Sequence, residues 1–135
     1  MIFLAVFGSM AVCSPAHADE MPVFRQGMWK FQRTVGTKTI EMTKCSSPTE
    51  DMKKQNAMLK KVGCRFSPAK KSGNTYTFTA DCSIQGPSGA VTSSRSTTVI
   101  TVESDSAYRV EINGSADGQA TKELLVAQRI GDCKK

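Results

Sequence analysis

The chain has 135 residues, 39% hydrophobic and 22% charged, close to globular averages, which excludes a collagen-like repeat or a wholly disordered polymer. That length suits one domain whose core buries roughly two-thirds of the unfolded surface, and no apolar run reaches the about 20 residues of a transmembrane helix. The formal net charge is +6, and the single histidine, His17, sits near the N-terminus.

Residues Met1 to Val12 form an uncharged apolar stretch, followed by Pro15-Ala16-His17-Ala18 and then Asp19-Glu20. This is the A-x-A cleavage pattern of a secretory leader, with a helix-breaking proline just upstream and acids beyond the cut. The expectation is a signal peptide at 1–18, cut after Ala18, and a single β-rich domain at 19–135. No Lys or Arg precedes the apolar run, which is consistent with a start codon upstream of Met1. Val12 stands where a lipoprotein box needs a small residue, so Cys13 is assigned to the leader. The mature chain is then expected in the periplasm.

Residues 27–35 alternate Trp29, Phe31 and Val35 with Lys30, Gln32 and Thr34, the period of a half-buried strand, and Arg33 falls on the apolar face. After Thr37-Lys38, Ile40 and Met42 continue the alternation in a second strand ending near Cys45. Ser47-Pro48-Thr49-Glu50 reads as a capping box with proline at the first helical position. It predicts an amphipathic helix over about 48–62, with Met52, Met58, Leu59 and Val62 on one side and Lys53, Lys54, Lys60 and Lys61 on the other. Gly63 is expected as its left-handed cap.

Antiparallel strands are predicted for the remainder. Cys64-Arg65-Phe66 and 75–83 flank the turn Ser72-Gly73-Asn74, and 91–102 is a long Ser/Thr/Val strand. Tyr108, Val110 and Ile112 form the next, and 120–130 the last, where Leu124, Val126 and Ile130 alternate. Seven strands and one helix, the helix between the second and third strands, predict a mainly β fold. The expected architecture is an antiparallel meander forming a barrel or half-barrel.

Cleavage after Ala18 leaves four cysteines, Cys45, Cys64, Cys82 and Cys133. An even count in an exported chain of this size reads as two disulfides, and no C-x-x-C pair supports a zinc site. With Gly73 at the centre of its hairpin, Cys64 falls opposite Cys82 and Phe66 opposite Ala80. Opposed residues in a non-hydrogen-bonded antiparallel pair stand about 4.5 Å apart at Cα, close enough for a disulfide. In a strict up-and-down order Cys133 would be stranded at the far end from the other three. A helix of about 14 residues running back along the sheet climbs roughly 20 Å, one strand length. That reversal brings Cys45 and Cys133 to one end and leaves Cys64 and Cys82 at the other, so the expected pairs are 64–82 and 45–133.

Taken together, Gly27-Met28-Trp29 opening a strand, Cys45 before a helix, Cys64 leading into Lys71-Ser72-Gly73-Asn74-Thr75, Cys82, and the closing Arg129-Ile130-Gly131-Asp132-Cys133 form a pattern. It resembles the family of small exported bacterial proteins called domain of unknown function 3617, over about residues 25–133. Gln26 stands where family members often carry proline, and Tyr108–Ile112 is less rich in Met, Gly and Thr than many. The resemblance implies a periplasmic protein of Gram-negative type; it implies no activity and no catalytic residues.

Three functional readings follow. The inward aromatics Trp29, Phe31, Phe66, Tyr76, Phe78 and Tyr108, with Arg33 as a polar anchor, are candidates to face an apolar small molecule or lipid in a small barrel; the same side chains would also serve as packed core. Eight of the 18 basic residues but only two of the 12 acids lie within 44–71, leaving ten of each elsewhere, so the whole excess charge belongs to the helix and the hairpin after it. Lys53, Lys54, Lys60 and Lys61 are therefore candidates to face an anionic envelope surface or an acidic protein partner, although any amphipathic helix places lysines outward. Nucleic acid is not an expected partner, because no aromatics interleave with the lysines. Catalysis is the weakest reading: the mature chain has no histidine, and Glu41, Asp81, Glu103, Asp105 and Glu111 form no evident pair. The expectation is a non-enzymatic binding module, or else a purely structural envelope protein, with no cofactor and no metal.

Overall fold

Residues 21–134 are described by the computed structural model; the expected leader at 1–18 lies outside them. Short alternating segments build eight strands: β1 (Gly27–Val35), β2 (Lys38–Ser46), β3 (Cys64–Phe66), β4 (Lys70–Ser72), β5 (Thr75–Gln85), β6 (Val91–Ser104), β7 (Ala107–Ala116) and β8 (Gln119–Gly131). One helix, α1 (Pro48–Lys61), separates β2 from β3. All pairings are antiparallel, and the order across the sheet is β2-β1-β8-β7-β6-β5-β3, with β4 also on β5. The sheet does not close: β2 and β3 are its edges, and α1 joins one edge to the other, which makes a half-barrel.

The eighth strand, β4, is the addition to the predicted set. At the turn Ser72 pairs with Thr75, whereas further down Phe66 pairs with Ala80 and Cys64 with Cys82. One extra residue must therefore be absorbed between the two registers. It falls at Pro68-Ala69, where proline has no N–H for a ladder. The Cys64–Cys82 pairing still follows the predicted register.

Side chains from six strands meet on the inner face in rows. Met42, Phe31, Ala127, Tyr108 and Val102 form one, followed by Ile40, Arg33, Leu125, Val110, Ile100 and Tyr76. The core is the buried part of these rows, namely Tyr76, Ile100, Tyr108, Val110 and Ala127, together with Trp29 and Phe24. In β8 the phase is opposite to the expected one. Leu125 and Ala127 face inward, while Val126 and Ile130 are exposed on the other face. Leu124, Leu125 and Val126 are consecutive apolar residues, so periodicity could not choose the face; pairing of Ala127 with both Phe31 and Tyr108 does.

The N-terminal segment before β1 crosses the end of this face as a strap. Phe24 stacks on Tyr108 at 4.3 Å between ring centroids and meets Trp29 edge-on at 6.1 Å. The Phe24 N–H donates to Thr49 Oγ1 (2.9 Å), and that hydroxyl donates to the Pro22 carbonyl (3.0 Å). Thr49 is buried in the first turn of α1, so the helix N-terminus fastens the strap to the core.

Two features of α1 depart from expectation. Ser47 makes no side-chain capping bond; instead Ser46 Oγ donates to Asp51 Oδ2 at 2.6 Å, which ties the first turn to the end of β2. The side turned to the protein is Pro48, Thr49, Met52, Asn56 and Leu59, and Met58 and Val62 are exposed. Anchoring by Pro48 and Thr49 sets the helix rotation, and about 100° per residue then carries Met58 away from the sheet. At the other end Gly63 has φ +118° and its carbonyl accepts from the Ser83 N–H at 3.0 Å. A Cβ there would stand 2.2 Å from the Ser83 carbonyl oxygen, so glycine is required by both conformation and space.

The two disulfides join Cys45 to Cys133 and Cys64 to Cys82, with Cα separations of 5.4 and 4.0 Å. The first lies where β2 and β8 end, with Cys45 paired across from Met28, and the second where β3 begins. They staple opposite ends of the half-barrel, as the helix reversal predicts.

Candidate functional site

Of the seven residues proposed to face a ligand, the structure divides the aromatics into a floor and a margin. Trp29, Tyr76 and Tyr108 are buried in the core. Trp29 Nε1 donates to the Arg25 carbonyl at 2.9 Å, and its ring lies 5.5 Å from Tyr108. Burial, and secondarily the nearby Asp51 carboxylate, pushes the Tyr108 phenol well above its ordinary pKa. Phe31 and Phe78 are only partly buried against this floor, with Ile112, Leu125 and Val102. Phe66 meets Phe78 edge-on at 6.1 Å near the β3 edge. Arg33 does not sit in a pocket as an anchor: it is exposed and ion-paired with Glu123 of β8.

The apolar surface continues outward onto the open edge. Ile40 and Met42 project from β2 beside Arg33 and Phe31 and are 63% and 52% exposed. Cations stand at both margins of the inner face: Lys44 Nζ lies 5.7 Å from the Phe31 ring centroid, and Lys71 Nζ lies 5.5 Å from that of Tyr76. Sequence reasoning missed these two lysines and Phe24. The lysines fall on the inner face by the same alternation that places Met42 and Tyr76 there. Phe24 precedes the first strand and carries no periodic signal.

At the opposite end an open groove of about 800 Å³ runs past Lys60, Arg65, Asp81, Arg95 and Asp117. Arg65, Asp81 and Arg95 are cross-strand neighbours on β3, β5 and β6, and Arg95 Nε donates to Asp81 Oδ1 at 2.6 Å. That bond raises the Arg95 pKa further above its ordinary value. Asp81 is thus an outward ion-pair partner. Glu41 is held below its usual pKa by hydrogen bonds from Gln32 and Lys30, and Glu103 lies 3.7 Å from Arg109. Among the described residues no three His, Cys, Asp or Glu side chains converge as metal ligands, and no helix is long and apolar enough to cross a membrane. The four candidate anion-facing lysines are all exposed on α1, with Lys53 Nζ 3.8 Å from Glu50.

The motif residues from the two chain ends meet in one place. Largely buried Arg129 donates from Nε to the Gln26 carbonyl (3.0 Å) and from Nη2 to Asp132. A Cβ on Gly27 would stand 2.4 Å from both Arg129 Nε and the Gly131 carbonyl. Gly27-Met28-Trp29, Cys45 and Arg129–Cys133 therefore form a structural clasp closing the first strand onto the last.

An antiparallel half-barrel with one cross-edge helix, a staple at each end and this clasp is the framework that the motif residues build. The family described as "Protein of unknown function (DUF3617)" matches residues 24–133, and the chain belongs to it. No curated protein and no solved structure matches the chain.

Proposed function

We propose that the protein is an exported, periplasmic, non-enzymatic module that holds an apolar or lipid-like small molecule against the inner face of its half-barrel. One observation carries the reading: the apolar surface does not stop at the buried Trp29, Tyr76 and Tyr108. It runs from partly buried Phe31 to exposed Met42 and Ile40, with Phe78, Ile112 and Leu125 partly buried on the same face and the Arg33–Glu123 pair beside them. A contiguous exposed apolar surface on a small domain marks a binding site more often than chance packing. Lys44 and Lys71 at the margins suit the acidic head of an amphiphile whose tail lies across the face. Two disulfides suit an oxidising compartment.

The test is a fluorescence titration of the disulfide-intact protein with a dansylated fatty acid. Saturable enhancement is expected. The double variant Ile40→Asp, Met42→Asp should bind about ten-fold or more weakly, since each lost apolar contact is worth about 1.5–3 kcal/mol when fully buried. Because both side chains are exposed, its unfolding midpoint should barely move. No saturable uptake by the wild type, or equal uptake by the variant, contradicts the reading.

A further inference from the structure

We infer that the outward face of α1 docks on an anionic lipid bilayer, a role separate from ligand holding on the inner face. The helix is held to the protein by Pro48 and Thr49, with Met52, Asn56 and Leu59 half-buried behind them. Met58 and Val62 are left 58% and 48% exposed. Met58 is four residues after Lys54 and three before Lys61, so it stands between them on the exposed side.

A helix that only needed solvation would present polar residues there. An apolar centre flanked by lysines is instead the pattern of a helix lying in a lipid interface, with the apolar groups at acyl depth and the ammonium groups among the phosphates. The cations on the helix are all lysine. Flexible, compact ammonium charges suit a diffuse phosphate layer, whereas planar carboxylates on a protein favour the guanidinium fork. The helix also carries a net positive charge, four lysines against the two acids Glu50 and Asp51, and all four lysines are exposed. Of the helical acids, Asp51 is bonded to Ser46 and Glu50 pairs with Lys53 in the first turn, away from Met58.

Co-sedimentation of the disulfide-intact protein with vesicles tests the inference. Binding to phosphatidylcholine vesicles containing phosphatidylglycerol is expected, weakening with salt, and pure phosphatidylcholine should bind far less. The variant Lys54→Gln, Lys61→Gln should lose about thirty-fold, at roughly 1 kcal/mol per lysine near an anionic surface. Met58→Ser, with every lysine intact, should lose several-fold while keeping the salt dependence. All three positions are exposed, so circular dichroism should show an unchanged fold. Equal binding to neutral vesicles, or undiminished binding by either variant, overturns the inference. So does capture by soluble polyglutamate without vesicle binding, which would assign the face to an acidic protein. Dansylated fatty acid uptake is unaffected by any of these results, so the two readings fail independently.

Discussion

Replacing Cys45 and Cys133 together by serine should destabilise the protein by about 4–5 kcal/mol on the chain-entropy view of disulfides. The bridge spans 88 residues, from the end of β2 to just beyond β8. The Cys64–Cys82 bridge spans only 18, within a hairpin whose register is already set by its turn and ladder, and its loss should cost about 3 kcal/mol. A domain of this size has roughly 5–15 kcal/mol in total, so the first change removes a large share of it. Urea unfolding followed by the fluorescence of the sole tryptophan, Trp29, measures both. A smaller loss for the 45–133 pair than for the 64–82 pair would mean that the unfolded chain already keeps its ends together, or that the clasp around Arg129 holds without the bridge.

Trp29→Ala should cost about 3–5 kcal/mol, the usual range for emptying a large buried aromatic site. Trp29 is fully buried, contacts Phe24, Phe31 and Tyr108 with its ring, and donates its indole N–H to the Arg25 carbonyl. The contacts on Phe24 and Arg25 are also what the strap rests on. Limited proteolysis should therefore cut Met21–Gln26 faster in the variant at denaturant concentrations where the sheet is still folded. A loss below about 1 kcal/mol with an unchanged digestion pattern would show that the strap is held without Trp29, by its contacts to Thr49, Tyr108 and Arg129.

What could be read in advance depended on whether the deciding interaction was local. The expected register of Cys64 against Cys82 holds although the turn differs: Gly73-Asn74 pairs Ser72 with Thr75, one residue off, and the extra residue at Pro68-Ala69 restores the register before the cysteines are reached. Opposite stapled ends followed from the length of α1. The face of β8 was illegible, because Leu124, Leu125 and Val126 offer apolar residues to both sides, and only long-range pairing with β1 and β7 decides between them. The rotation of α1 was misread for a related reason. The hydrophobic pattern favours Met58 and Val62 as inward, but Thr49, a polar residue that periodicity discounts, is the buried anchor.

The candidate site divides along the same line. Alternation placed Phe31, Tyr76, Phe78 and Tyr108 on one face, and they lie there. It could not say which of them the strap would cover, since Phe24 and its partner Thr49 are 25 residues apart. Arg33 shows the limit in another way: its inward position was legible, but its Glu123 partner is 90 residues away and turns a supposed anchor into a surface ion pair.

Native mass spectrometry of the protein purified after export from a bacterial cell tests the ligand-holding claim most directly. A mature chain with both disulfides closed, carrying an additional lipid-sized mass that leaves on denaturation, is the predicted result. The Ile40→Asp, Met42→Asp variant should arrive without it. A wild-type spectrum showing only the bare chain, together with no uptake when lipid extract is added back, would contradict the account and leave the inner face as core alone.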